Sequence, residues 1–251
     1  ATEKYVSNDC SSADKTWSDG TYTLKKWTGT SDTWTYAKNS DYYGKKNVRI
    51  KTVNVQTVKD VSTAQNLFSS NSVQLTTLTG THVQAAATGK LKKELHVTKS
   101  NRLAYLDWNS KHKTLTNTNL RLAVSYAINR ESLVKNVLKD KSLAAKSAVT
   151  EGNFSNPSTG KDFNTDTGNL YPYNVKKAKA YWAKAQQQLG KKKLNIELLT
   201  SDDDVSKSVG EYIQSAIQQN LKGVTVSLKT VPLNNEIAAM EKGNFELASM
   251  G

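Results

Sequence analysis

The chain has 251 residues, and with 37% apolar residues, 13 glycines and 3 prolines it has the composition of a folding chain, not a low-complexity one. No apolar run approaches the roughly 18 residues that a membrane-spanning helix requires. The formal charge of +13 suggests nucleic acid or an anionic envelope, yet every one of the 35 basic residues except Arg49, Arg102, Arg121 and Arg130 is a lysine. The lysines are scattered in pairs such as Lys25-Lys26 and Lys176-Lys177, without the arginine forks and interleaved aromatics of nucleic-acid recognition, so a solvated surface and no nucleic-acid partner are expected.

In chain order, residues 21–27 (TYTLKKW) and 33–38 (TWTYAK) alternate Tyr22/Leu24 and Trp34/Tyr36 around turn material, which predicts a hairpin. Residues 48–58, with Val53 and Val55 on one face, predict another strand. Asp60 or Ser62 caps a short helix bearing Val61, Ala64, Leu67 and Phe68 on one face. Residues 73–78 read as a further strand, and Thr79-Gly80-Thr81 as a turn into a small helix running to Ala87. Residues 103–109 (LAYLDWN) read as the last strand of this α/β region. The polar stretch after Asn109 marks a domain boundary there.

Residues 119–138 (NLRLAVSYAINRESLVKNVL) place Leu120, Ala123, Val124, Ala127 and Ile128, and then Leu133, Val134, Val137 and Leu138, at helical spacing about a polar elbow at Asn129-Arg130. Residues 144–172 are rich in Ser, Thr, Asn and Gly and read as a long loop. Asn174 then caps a helix that Gly190 closes. Residues 194–200 alternate as a strand, and Ser201 with Asp204 forms a capping-box variant opening a helix to Leu221. A strand over 224–231, a helix over 234–242 and the start of a strand over 245–250 follow. Residues 48–80 and 194–251 thus share a strand–helix–strand plan, which predicts two α/β lobes with a cleft at the carboxyl ends of their strands.

The catalytic inventory is thin. His82, His96 and His112 are too far apart for a helical metal pair, and Gly89-Lys90 lacks the upstream glycine and following hydroxyl of a phosphate loop. The run Asp202-Asp203-Asp204 is explained by capping and the helix dipole. Cys10, the single cysteine, has no neighbour that would activate it. A binding protein without metal or cofactor is expected, not an enzyme.

The order of residues adds a resemblance. Arg121, Ala123, Tyr126-Ala127-Ile128, Arg130 and Leu133-Val134 resemble the "R-x-A-x-x-x-A-I-[DN]-R-x-x-[LI]-V" segment of peptide-binding solute receptors of bacterial ABC importers. Residues 18–27 (SDGTYTLKKW) resemble that family's "GTGPYKLKKW" block, with Asp19 and Thr21 in place of glycine and proline. Residues 39–44 (NSDYYG) are similar to its "NPNYWG", residues 105–109 to its "YLxFN" crossing strand, and residues 171–183 to "YDPEKAKKLLA". Residues 198–250 carry the family's "LLT…GV.V.L…GDFDLA" order.

The resemblance implies an α/β, two-lobed, type II periplasmic-binding-protein-like architecture of mixed sheets flanked by helices, incomplete at both ends. Residues 1–109 would form part of the terminus-bearing lobe and 110–251 most of the other, with a hinge at the crossing strand. It implies a monomeric extracellular receptor, lipid-anchored at the cytoplasmic membrane of a Gram-positive cell. Such a receptor takes short peptides through backbone hydrogen bonds and delivers them to an ABC permease. The implied ligand-binding residues are Thr79, Gly80 and Thr81 at the turn and Tyr105, Trp108 and Asn109 on the crossing strand, with Arg121 and Arg130 as anchors of the second lobe. The alternatives are a basic module for nucleic acid or an anionic envelope, and the same fold holding a non-peptide solute.

Overall fold

Alternating side chains build the first sheet as the sequence suggests. In a computed structural model, which describes residues 12–16, 18–98 and 100–251, strands β1 (Tyr22–Lys25), β2 (Thr33–Lys38) and β3 (Thr52–Gln56) form an antiparallel sheet in that order. Leu24 pairs with Tyr36, and Trp34 and Tyr36 pair with Val55 and Val53. Val53 and Val55 are half-buried while Thr52, Asn54 and Gln56 face outward. Helix α1 (Val61–Ser69) starts where the Asp60 carboxylate accepts from the Thr63 N–H at 2.7 Å. Cys10 lies outside the described residues.

Residues 73–78 correct the expectation of a further strand: they join no ladder among the described residues, and Leu75 is 87% exposed. Apolar alternation makes a strand only where a partner takes up the backbone N–H and C=O groups. This part of the chain is therefore an antiparallel meander with a helix, not a strand–helix–strand unit. The chain divides into two compact units between Thr77 and Leu78, ahead of the Asn109 boundary that composition suggests.

The second unit holds helix α2 (Thr81–Thr88), strand β4 (Tyr105–Trp108), helices α3 (Thr118–Ala127) and α4 (Val175–Leu189), and strand β5 (Leu194–Ser201). Helix α5 (Asp204–Asn220), strand β6 (Val224–Val231), helix α6 (Leu233–Lys242) and strand β7 (Leu247–Met250) follow, and a short helix, Phe163–Thr167, interrupts the expected loop of residues 144–172. Its sheet is mixed, in the order β4-β7-β5-β6, with β7, β5 and β6 parallel and β4 antiparallel to β7. The crossing strand therefore joins this second sheet, not the strands that precede it. β7 touches β5 over Leu198–Leu247 and Leu199–Ala248, and the Glu246 carboxylate extends the seam by accepting from the Glu197 N–H at 2.7 Å.

One core fills the space between this sheet and its helices. Leu120, Ala123, Val124 and Ala127 of α3 are buried with Ala178, Trp182 and Ala185 of α4 and with Ile196 and Leu198 of β5. Asn174 caps α4 by accepting from the Lys177 N–H at 2.9 Å, and Gly190 (φ 64°) ends it in the left-handed conformation that a side chain disfavours. The Trp182 indole N–H finds the Lys222 carbonyl at 2.8 Å.

The elbow in residues 119–138 falls one residue earlier than its sequence pattern suggests. α3 stops at Ala127, Ile128 and Asn129 are extended, and Asn129 caps the next turn through the Ser132 N–H at 3.0 Å. A π-helical turn, Leu133–Leu138, follows. Because β5 runs through Ser201, the cap of α5 is Asp203 and not Ser201: its carboxylate accepts from the Val205 and Ser206 N–H groups at 3.1 and 3.0 Å.

Candidate functional site

Parallel strands end together, so β5, β6 and β7 bring Ser201, Val231 and Met250 to one edge of the sheet. Antiparallel β4 enters at that edge, where Tyr105 pairs with Met250 and stands 52% exposed. Trp108 pairs with Leu247, three residues and roughly 10 Å further along the strand. The turn Thr79-Gly80-Thr81 also reaches the carboxyl edge. Gly80 starts α2 at φ 57°, ψ −144°, and a Cβ there would lie 3.3 Å from the Val205 Cγ2 in the first turn of α5. Thr79 and Thr81 are exposed on either side of it.

The structure thus gathers four of the six predicted residues at the carboxyl edge and places Trp108 and Asn109 at the far end of β4, level with the middle of β5. Trp108 packs partly into the core with the Arg121 guanidinium 5.9 Å from its ring, and Arg121 also donates to the Leu115 carbonyl at 2.8 Å. Asn109 is buried, and its amide donates to the Gly243 and Phe245 carbonyls at 2.9 and 2.6 Å while its oxygen accepts from the Lys111 N–H. Those bonds tie the end of β4 to the entry of β7. Arg130, whose guanidinium donates to the Tyr171 carbonyl, is likewise an anchor.

Two features of the structure escape the sequence reading. Glu236 of α6 is 1% exposed, and its Oε1 has no hydrogen-bond partner. Its carboxyl is pushed up to about 7, by burial first and then by the charge of Asp203. Burial also pushes Asp203 up, but the Ser206 hydroxyl and N–H, the Val205 N–H and the Ser201 hydroxyl outweigh it and hold that carboxyl below its usual value. The one signal for Glu236 in the sequence is its place within the otherwise apolar series Leu233, Ile237 and Met240 at helical spacing. The other missed feature is a concavity of about 620 Å³ in the first unit, lined by Tyr22, Tyr42, Tyr43, Arg49 and Ile50. Among the described residues no three His, Cys, Asp or Glu side chains converge as metal ligands.

Comparison with known proteins places this arrangement. The pattern of the bacterial extracellular solute-binding proteins, family 5 (middle), matches residues 4–251. A dipeptide-binding protein of Lactococcus lactis is 33% identical over 99% of this chain and 47% of its own length. Listeria monocytogenes OppA bound to peptide superposes with a TM-score of 0.88 at 30% identity, covering 100% of this chain and 50% of that one. The pheromone receptor PrgZ, described for its mode of peptide binding, gives a TM-score of 0.86 at 32% identity over 98% of this chain and 48% of the receptor. The chain spans about half the length of these relatives.

Proposed function

Because the chain belongs to the bacterial extracellular solute-binding proteins of family 5, we propose that it forms part of a receptor that captures short peptides and hands them to an ABC permease. The observation that carries this reading is the likeness of the whole chain to a peptide-bound OppA. The carboxyl edge of the mixed sheet is where ligands of α/β folds sit, and it offers an exposed tyrosine and two exposed threonines flanking the turn at Gly80, which packs against Val205. An extended peptide there is held mainly by backbone hydrogen bonds, with Tyr105, Thr79, Gly80 and Thr81 in contact and Trp108 and Asn109 fixing the crossing strand. The receptor works as a lipid-anchored monomer outside the cytoplasmic membrane.

Calorimetry of the protein at its full natural length against pools of three- to eight-residue peptides is expected to give saturable heat. No heat from any pool overturns the proposal.

A further inference from the structure

Asp203 and Glu236 stand at the carboxyl edge, one capping α5 after β5 and the other in α6 after β6. Asp203 is exposed, whereas Glu236 is 1% exposed with an oxygen that no donor reaches. A buried carboxyl group without a hydrogen bond costs free energy that a fold does not retain by default. The usual remedy is a neighbouring cation, and this chain carries 35 Lys and Arg residues. Among the described residues no Lys or Arg is seen paired with either carboxyl group; ion pairs seen elsewhere include Lys229 with Glu197 and His112 with Glu246. Among the described residues the pair therefore lacks a positive charge, at the edge where Gly80 sets the start of α2 against Val205.

We propose that Asp203 and Glu236 form an acidic subsite for an organic cation of the bound peptide, a primary ammonium or a guanidinium. The inference rests on the peptide-receptor reading and adds a charge preference to it. The cation docks on exposed Asp203, whose charge is fixed by its capping bonds, and the buried Glu236 carboxyl lies behind it, where low polarity strengthens the attraction. Glu236, pushed up to about 7, has a carboxyl that an arriving cation draws into its ionised form near neutral pH. Among the described residues no hydrogen-bond donor competes for its free oxygen.

The test uses the protein at its full natural length and alanine pentapeptides in which lysine, or its neutral counterpart norleucine, is moved through each position, with and without N-terminal acetylation. At one position lysine is expected to bind about tenfold more tightly than norleucine, the scale of one charge-assisted hydrogen bond. E236Q, and independently D203N, which keeps a capping side chain, are expected to bring that ratio near one. If the subsite takes the peptide amino terminus instead, acetylation rather than norleucine costs the affinity, and the same variants abolish that cost. If neither substitution matters while peptides still bind, the subsite is overturned and the receptor reading stands. If no peptide binds, both fall.

Discussion

Desolvation holds a carboxyl group in its neutral form, and Glu236, 1% exposed beside Asp203, is such a group. Its value rises from 4.5 to about 7, so between those pH values the folded chain binds a proton that the unfolded chain releases. The stability it contributes is fully present below about 4.5 and is lost as pH rises through about 7. Glutamine keeps the shape of the protonated form and does not titrate. Glu236→Gln is therefore expected to match the parent at pH 4.5 and to exceed it at pH 8 by on the order of 2 kcal/mol, measured by urea unfolding at both pH values. An equal offset at the two values would show that Glu236 is not held neutral. The consequence for the site is that the same residue destabilises the unliganded fold near neutral pH and gives a bound cation its counter-charge.

At the scale of elements, α5 packs against β5 and β6 with Gly210 in its middle. A Cβ at Gly210 would meet Leu228 Cδ2 at 3.4 Å and Thr200 Cγ2 at 3.5 Å, which is ordinary contact. Gly210→Ala is thus expected to raise stability by about 0.5–1 kcal/mol through helix propensity, while Gly210→Leu overpacks and costs about 1–3 kcal/mol. Thermal unfolding of the two variants checks the sign of each, and a destabilised alanine variant would contradict the spacing. What the sequence made legible at this scale were elements whose ends carry a chemical mark: Asn174 and Gly190 around α4, Asp60 before α1, and the alternation of β1, β2 and β6. What it left hidden depends on contacts distant in sequence. Residues 73–78 read like a strand but find no partner strand among the described residues, and the four residues of β7 insert between β4 and β5. The candidate site shows the same division. The turn at Gly80 follows from local signals, whereas the exposure of Tyr105 and the placement of Trp108 and Asn109 at the far end of β4 follow from how β4 pairs with β7. Glu236 was hidden because only the packing of α6 on the sheet buries it.

For the whole molecule, the distribution of buried residues decides which part can stand alone. The main core runs from Leu115 to Leu247, and all four strands of its sheet lie after Leu78. In the first unit, among the described residues, only Asn39 and Ala64 are buried, and the Trp34 indole N–H is enclosed without a partner. A three-stranded meander with so small a core is marginal in water, whereas a domain of the second unit's size buries enough surface to fold. Residues 78–251 expressed alone are therefore expected to unfold in one cooperative urea transition, followed by the fluorescence of Trp108 and Trp182, and residues 12–77 alone to show none. Both report on the same core: Trp182 is 4% exposed and hydrogen-bonded to the Lys222 carbonyl, and Trp108 packs partly against it, so their loss of burial tracks the packing of that core. A gradual, non-cooperative loss of signal in 78–251 would mean that its core needs the preceding meander. A cooperative transition would mean that the sheet edge carrying Tyr105, Gly80, Asp203 and Glu236 assembles without it.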